Sequence, residues 1–289
     1  MLVPGPWEGE NWYPSFDRFM TEVYPNWREY YNVTYSTAQE IEELAEKLGP
    51  LPGEYVDFLT HMGGRGLDLR NRARLYSLAE TFLTEDEGVY LNIGSYAPYD
   101  DGDRLAYRLT REGPPLLVWR ERMAGGRPVK AADSLGQLLC NQAFLAGGVD
   151  QLTLRYPMEL AFHLHQPPYG PCPEAEEYVR THSLEGLSEE DLWDRGFQIQ
   201  IARLEGPLRE QGYKKAGFST ELDQIWIRGE TCCILSREFD PNDMFDTVNI
   251  STWGMEGRPM WELAEAFKEL GYGNRLELRE GSHPAFRGI

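Results

Sequence analysis

The stretch STAQEIEELAEKLGPLPGEYVDFLTHMGG, residues 36–64, decides how the first half of this chain folds. Ser36-Thr37-Ala38-Gln39 reads as a capping box, in which the serine hydroxyl takes an orphan amide and the glutamine reaches back. Thr37 and Glu40 offer the same arrangement one residue later. Ile41, Leu44 and Leu48 then recur at helical spacing and form one apolar stripe. Gly49-Pro50 stops that helix, and Pro52 stands where a first helical position is expected for the next. Tyr55, Phe58 and Leu59 face one way along the second helix until Gly63-Gly64 ends it.

Beyond the glycine pair the apolar period changes from helical to alternating. Residues 74–78 (RLYSL), 89–94 (VYLNIG), 105–109 (LAYRL) and 116–120 (LLVWR) read as strands. Tyr99-Asp100-Asp101-Gly102-Asp103 has hairpin-turn chemistry, and Gly125-Gly126 marks another turn. Asp133-Ser134-Leu135-Gly136-Gln137 opens a last helix that carries Leu138, Leu139 and Phe144. Consecutive strands without intervening helices predict an α+β fold with an antiparallel sheet and flanking helices. Upstream, residues 1–34 form an aromatic-rich extension with Trp7, Trp12, Phe16, Phe19, Trp27, Tyr30 and Tyr31. Such density predicts packing on the body of the protein; the alternative is an exposed arm that binds a partner.

Gly147-Gly148 reads as the boundary, which gives an extension at 1–34, a domain at 35–148 and a second domain at 149–289. In the second, residues 151–155 and 160–165 are expected as strands, followed by a proline- and glycine-rich loop at 166–173. Ser188-Glu189-Glu190-Asp191 is a capping box for a helix, in one or two pieces, reaching Gln211. Residues 225–227 and 232–235 read as a hairpin turning at Gly229, residues 261–270 as an amphipathic helix and 275–279 as a strand. This half is also expected to be α+β.

The ordered pieces between residues 36 and 146 resemble the SUKH superfamily of SMI/KNR type. The resemblance rests on the acidic helix, the Leu51-Pro52 step, Tyr55, the Phe58-Leu59 pair and Gly63-Gly64. After these come Arg74 to Leu78, Ile93-Gly94, residues 115–119 and the Ala132-Asp133-Ser134-Leu135 start of the closing helix. Leu135 stands where that family usually has phenylalanine, and the asparagine that often precedes its glycine pair is missing here. The resemblance implies protein binding: bacterial SUKH proteins are immunity proteins that neutralise toxins, often nucleases, in competition between bacteria. Fungal relatives regulate cell-wall assembly and signalling. It carries over no catalytic residue, and it extends to neither residues 1–34 nor 151–289.

Composition bounds the chemistry independently. Of 289 residues, 41% are hydrophobic and 12% aromatic, enough for two cores. Twenty-eight basic residues face 47 acidic ones, a net charge of −19 spread over both halves. A surface of that sign repels phosphate backbones and anionic lipid, so neither nucleic acid nor membrane is expected as a partner. It steers a basic partner toward itself, which suits a basic toxin domain. No stretch approaches a membrane span, and the N-terminus MLVPGPWEGENWYPSFDRF lacks a basic region followed by an apolar core. Cys140, Cys172, Cys232 and Cys233 form no disulfide framework and read as reduced thiols, so a cytoplasmic location is expected.

The sites that chemistry could use are few. Glu85, Asp86 and Glu87 form one acidic loop and Asp100, Asp101 and Asp103 a second, and these are the expected contacts for a basic partner. The second loop lacks the glutamate a calcium loop needs at its twelfth position. His163 and His165, with Cys172, could ligate a metal, but no zinc or iron spacing supports them, and no metal or cofactor is expected. Gly63-Gly64-Arg65-Gly66 lacks the lysine and threonine of a phosphate cradle and reads as a helix stop. No nucleophile elbow or dinucleotide fingerprint is present. The sequence therefore predicts a stoichiometric inhibitor without catalysis. The alternatives are a regulatory scaffold, or a hydrolase or transferase in the second half that uses His163, His165 or His182.

Overall fold

The structure, a computed structural model, describes residues 12–23, 25–69, 73–85, 87–96, 103–111, 113–120, 128–155, 158–163, 189–229, 231–238, 247–254, 257–270 and 275–280. The chain divides into two compact units, Met1–Val149 with Gly217–Leu222, and Asp150–Ala216 with Asp223–Ile289. Both are α+β with antiparallel sheets. The loop expected at 166–173, the turn glycines at 125–126 and the Ser188 end of a capping box lie outside the described residues.

The first unit opens with α1 (Trp12–Val23) and the single turn α2 (Trp27–Tyr30), then α3 (Ala38–Leu48) and α4 (Gly53–His61). Of the two capping boxes in the sequence, the one formed is Thr37 with Glu40: the threonine hydroxyl accepts from the Glu40 amide and the Glu40 carboxylate accepts from the Thr37 amide. Ser36 is instead buried outside the helix, its amide donating to the Leu59 carbonyl at 3.0 Å. Pro52 caps α4 rather than entering it. Tyr55, Phe58 and Leu59 are fully buried. Glycine is required at the end of this helix because the chain passes too close for a side chain. A Cβ on Gly63 would meet Leu59 Cα at 2.7 Å, and one on Gly64 the Tyr35 carbonyl oxygen at 2.7 Å.

The sheet comprises β1 (Leu67–Asp68), β2 (Ala73–Leu75), β3 (Phe82–Glu85), β4 (Val89–Tyr96), β5 (Arg104–Leu109), β6 (Leu116–Arg120) and β7 (Pro128–Lys130), in the order β1-β2-β4-β5-β6-β7. One edge of β4 is shared: its first half pairs with β3 and its last residues pair with β2. The change of partner coincides with an irregularity between Asn92 and Gly94 in the ladder to β5. A Cβ on Gly94 would lie 2.4 Å from the Arg74 carbonyl oxygen, so only glycine lets β2 approach there. Along β4 to β6, Leu91, Ile93, Leu105, Tyr107, Leu117 and Trp119 are buried. This face meets α4, where the Tyr55 and Tyr107 ring centroids are 6.4 Å apart.

The helix that closes this half, α5 (Leu135–Arg155), starts where the sequence places it. Ser134 Oγ accepts from the Gln137 amide at 3.1 Å, and Glu54 of α4 accepts from the Leu135 amide at 2.8 Å. It does not stop at Gly147-Gly148, and residues 151–155, expected as a strand, are its last turns. Glycine weakens a helix by about 1 kcal/mol but keeps the amide that proline removes, so a helix with good formers on either side runs through it. The expected cut at 148 also misses Gly217–Leu222, which belongs to the first unit. Phe218, 2% exposed, lies between the rings of Phe19 and Phe144 at 5.6 and 5.4 Å. The side-chain amides of Asn141 and Gln137 donate to the Phe218 and Ser219 carbonyls. The aromatic N-terminal segment packs as expected for its body, with Trp12, Phe16, Phe19 and Trp27 buried.

In the second unit β8 (Met158–His163), β9 (Lys214–Lys215), β10 (Asp223–Arg228), β11 (Thr231–Glu238), β12 (Thr247–Gly254) and β13 (Arg275–Glu280) form one sheet in the order β13-β8-β12-β11-β10-β9. The helices are α6 (Glu189–Glu210), which is continuous despite Pro207, and α7 (Gly257–Glu269). Phe197, Ile201, Leu204 and Leu208 of α6 and Leu263, Ala264 and Phe267 of α7 share a core with Trp226, Cys233, Leu235, Val248 and Ile250 of the sheet. The hairpin at Gly229 forms as read. Central strand β12 has no counterpart in the sequence reading, although Val248-Asn249-Ile250-Ser251 alternates as a half-buried strand does. One edge ends in exposed Lys214-Lys215, which discourages further pairing. Arg237, almost wholly buried, pairs with Asp194 at 2.9 Å and lies 4.5 Å over the Phe197 ring.

Because Phe218 fills a slot between two rings of the first unit, Phe218→Ala should lower stability by about 3–5 kcal/mol. Urea unfolding followed by tryptophan fluorescence measures this, and a loss below about 1 kcal/mol would show that the segment merely rests on the surface.

Candidate functional site

Of the two acidic loops proposed from sequence, the described residues Glu85 and Glu87 of the first are not brought together with Asp103 of the second. Glu85 ends β3 and Glu87 lies in the turn before β4, both exposed. Asp103 stands just before β5, whose first residues pair with the far end of β4. The eight residues of β4 separate the two places by about 25 Å at roughly 3.3 Å per residue. Asp103 is also 3% exposed, so it is no part of a solvated tip and presents no charge to a partner. A carboxylate next to the first residue of a sheet strand is drawn under the packed face with it. Asp86, Asp100 and Asp101 lie outside the described residues. Glu85 and Glu87 share their end of the sheet with exposed Arg108 and Arg111, which offset their charge locally.

A more developed surface lies on the N-terminal helices. Asp17 on α1 organises it: its Oδ1 accepts from Trp27 Nε1 at 3.1 Å and from Arg28 Nε at 3.1 Å, and pairs with Arg28 Nη2 at 2.8 Å. Asp17, Thr21, Trp27, Arg28 and Glu29 line an open cavity of about 360 Å³. Beside it, Tyr13 stacks on His61 with ring centroids 4.2 Å apart, and its hydroxyl accepts from Arg28 Nη2 at 3.3 Å. Burial raises the Tyr13 phenol above its ordinary value, against the opposing pull of Arg28. Tyr35 lies close enough to act electrostatically on both Tyr13 and Arg28, and is 62% exposed. Tyr30 on α2 is 55% exposed and meets Tyr31 edge to face at 4.9 Å.

The surface thus combines exposed amphipathic rings with a tethered arginine and two carboxylates. Two carboxylates against one guanidinium leave the cavity with an excess of negative charge. Sequence reading saw the aromatics of this segment but could not divide them. Trp12, Phe16 and Trp27 point inward, whereas Tyr30 and Tyr35 do not, and that division depends on how α1 docks on α4.

The face of the first sheet opposite α4 carries several arginines around a buried middle. Strand alternation places Phe82, Thr84, Tyr90, Asn92, Arg104, Ala106, Arg108, Leu116, Val118 and Arg120 on it, opposite the face that meets α4. Tyr90, Ala106 and Val118 form a small buried cluster. Arg120 lies 4.0 Å over the Tyr90 ring and Arg104 4.9 Å over Phe82. Beyond β3, Arg74 pairs with Glu80, whose carboxylate also accepts from the Ser77 amide at 3.0 Å and the Ser77 hydroxyl at 2.8 Å. Those two hydrogen bonds, then Arg74, hold the Glu80 carboxyl below its usual range.

Cys140, Cys232 and Cys233 are free and fully buried, and burial pushes all three thiols up. His163 lies in β8, while His165, Cys172 and His182 fall outside the described residues. Among the described residues no group of three His, Cys, Asp or Glu could hold a metal ion, and no helix is long and apolar enough to cross a membrane. No protein-family model, curated protein or solved structure matches this chain.

Asp17→Ala should leave the buried Trp27 indole N–H without its acceptor and cost about 1–3 kcal/mol in a chemical denaturation experiment; an unchanged midpoint would mean that Asp17 does not hold this surface together. For Glu80 the folded pKa is lowered, so its stabilising effect is complete above the unfolded carboxylate value and is lost as pH falls through the folded one. The stability difference between the wild type and Glu80→Gln should therefore be constant from neutrality to about pH 5 and shrink toward zero below about pH 4. A difference that grows on acidification would contradict the assignment.

Proposed function

We propose that this chain is a protein-binding protein of the immunity type, which neutralises a basic toxin domain in the cytoplasm by stoichiometric binding. The observation that carries the proposal is the surface of Tyr13, Tyr30, Tyr35 and Arg28 around a cavity bearing Asp17 and Glu29. A basic side chain of the partner enters the cavity, and the tyrosines cover the apolar part of the contact. The net charge of −19 supports this reading, because it speeds encounter with a partner of opposite sign. The SUKH-like succession of motifs between residues 36 and 146 supports it from the sequence side. A nuclease toxin fits the same chemistry, since a surface built for phosphates is basic and is blocked by an acidic protein.

The test is capture of partners by the tagged full chain from its native cytosol at low and high salt, beside a Tyr30→Ser/Tyr35→Ser variant. A one-to-one complex with a basic protein is expected, forming more slowly at high salt and at least about thirtyfold weaker with the variant, as for loss of roughly 2 kcal/mol at an interface centre. Undiminished binding by the variant would remove the tyrosine surface from the account. Capture of no protein, together with a hydrolase or transferase activity lost on replacing His163 or His182, would overturn the binding function itself.

A further inference from the structure

The two oxygens of Asp17 are not equivalent. Oδ1 accepts from Trp27 Nε1 and from Arg28 Nε, each at 3.1 Å, and meets Arg28 Nη2 at 2.8 Å. Among the described residues Oδ2 accepts no hydrogen bond. The Trp27 side chain is buried, so its indole fixes the carboxylate and leaves one oxygen, not two, for an occupant of the cavity. The other polar groups of the wall add further single acceptors. Glu29 is exposed, and its carboxylate has no partner among the described residues. Thr21 donates its hydroxyl hydrogen to the Asp17 carbonyl at 2.7 Å, so toward the cavity its oxygen can only accept. Pro25 and Trp27 supply the apolar part of the wall. Arg28 lines the same cavity and repels any cation that enters, so an occupant must gain more from the acceptors than it loses to this charge.

We propose that this cavity selects a lysine side chain of the partner over an arginine, an inference that rests on the partner surface proposed above. A guanidinium binds a carboxylate best through two parallel N–H···O bonds, which need both oxygens of one group. Asp17 offers only Oδ2, because Arg28 and Trp27 already hold Oδ1. An ammonium is a compact charge with three donors that diverge, and it suits single acceptors on separate side chains. Asp17 Oδ2, the Thr21 hydroxyl and the Glu29 carboxylate are such acceptors around one cavity of about 360 Å³. The methylenes of the lysine then lie along Pro25 and Trp27 while its head reaches the polar groups. Glu29 can offer both oxygens to an arginine, but a pair between exposed side chains contributes little. The choice is therefore made at Asp17, the more enclosed carboxylate, whose side chain is 29% exposed. The smaller ammonium head also keeps farther from Arg28 than a planar guanidinium does.

The probes are capped Ala-Lys-Ala and Ala-Arg-Ala peptides, titrated separately into the full chain while the Trp27 indole N–H is followed by NMR. That proton lies on Asp17 Oδ1 and reports on the carboxylate directly. The lysine peptide is expected to shift it saturably and to bind at least about fivefold tighter than the arginine peptide. The same peptide with Nε-acetyllysine should leave the resonance in place, because the charge is gone. Asp17→Asn can keep an acceptor for Trp27 but sets an amide where the open oxygen was, and should abolish the preference for lysine. If that variant proves unstable, Glu29→Gln, which alters only an exposed side chain, should still weaken the lysine peptide several-fold. Equal or tighter binding of the arginine peptide overturns the selectivity and leaves the proposed partner surface standing. A resonance unmoved by either peptide overturns the cavity as a receptor for basic side chains, and the partner surface with it. Undiminished lysine binding by Glu29→Gln overturns the shared use of the two carboxylates.

Discussion

The first turn of α4 is the constraint on which the rest of the first unit depends. Glu54 and Tyr55 are adjacent, and each joins this helix to a different part of the fold. The Glu54 carboxylate receives the first amide of α5, eighty-one residues later in the chain. The Tyr55 ring packs against Phe58 and Tyr107, and its hydroxyl meets Thr81 Oγ1 at 2.7 Å in the interior. Burial pushes that phenol up to about 12, so it stays neutral and serves as a hydrogen-bonding group at any ordinary pH. Tyr107 is likewise pushed well up, by burial first and then by the Glu54 charge. A buried hydroxyl with its partner specifies position as well as contributing stability, since a shift of α4 would leave the Tyr55 hydroxyl without Thr81, which keeps its own bond to the Ser77 carbonyl.

With α4 placed, the surfaces follow. Tyr13 of α1 stacks on His61 at the end of α4, so the cavity beside Asp17 is fixed to the same helix that organises the core. The outer face of the sheet is then the side that α4 does not cover, and the arginines of β5 and β6 stand on it. The unit thus bears an acidic cavity edged by tyrosines on its helical layer and a row of arginines on its sheet. A chain of net charge −19 attracts basic partners from a distance, but within a Debye length a local cluster of the opposite sign prevails.

Much of the fold was legible in the sequence, because the signals that mark helices and strands are local. The Thr37–Glu40 capping box, the Gly49 stop, the β6 run at 116–120 and the hairpin at Gly229 each depend on residues within a few positions of one another. The misreadings arose where local signals were weak or ambiguous. Gly147-Gly148 lies within one residue of where the two units divide, but glycine only weakens a helix, and α5 continues through it. The β12 strand alternates but carries only two aliphatics, Val248 and Ile250, so its signal is short, although it lies within its sheet. Asp103 reads as part of a polar turn, yet it is buried beside the start of β5.

The sequence by itself determined the α+β class, the antiparallel character of the first sheet, the buried faces of α3 and α4 and the excess of negative charge. These follow from periodicity, capping chemistry and composition, which need no knowledge of what lies far along the chain. Only the tertiary structure decided which aromatics of the N-terminal segment are core and which are surface, that Gly217–Leu222 belongs to the first unit, that Glu85 and Asp103 lie toward opposite ends of β4, and that Arg104 faces Arg120. Each of these is a relation between residues distant in sequence, set by helix docking and strand register. A strand shifted by one position would turn every side chain to its other face, and no local pattern reports that choice.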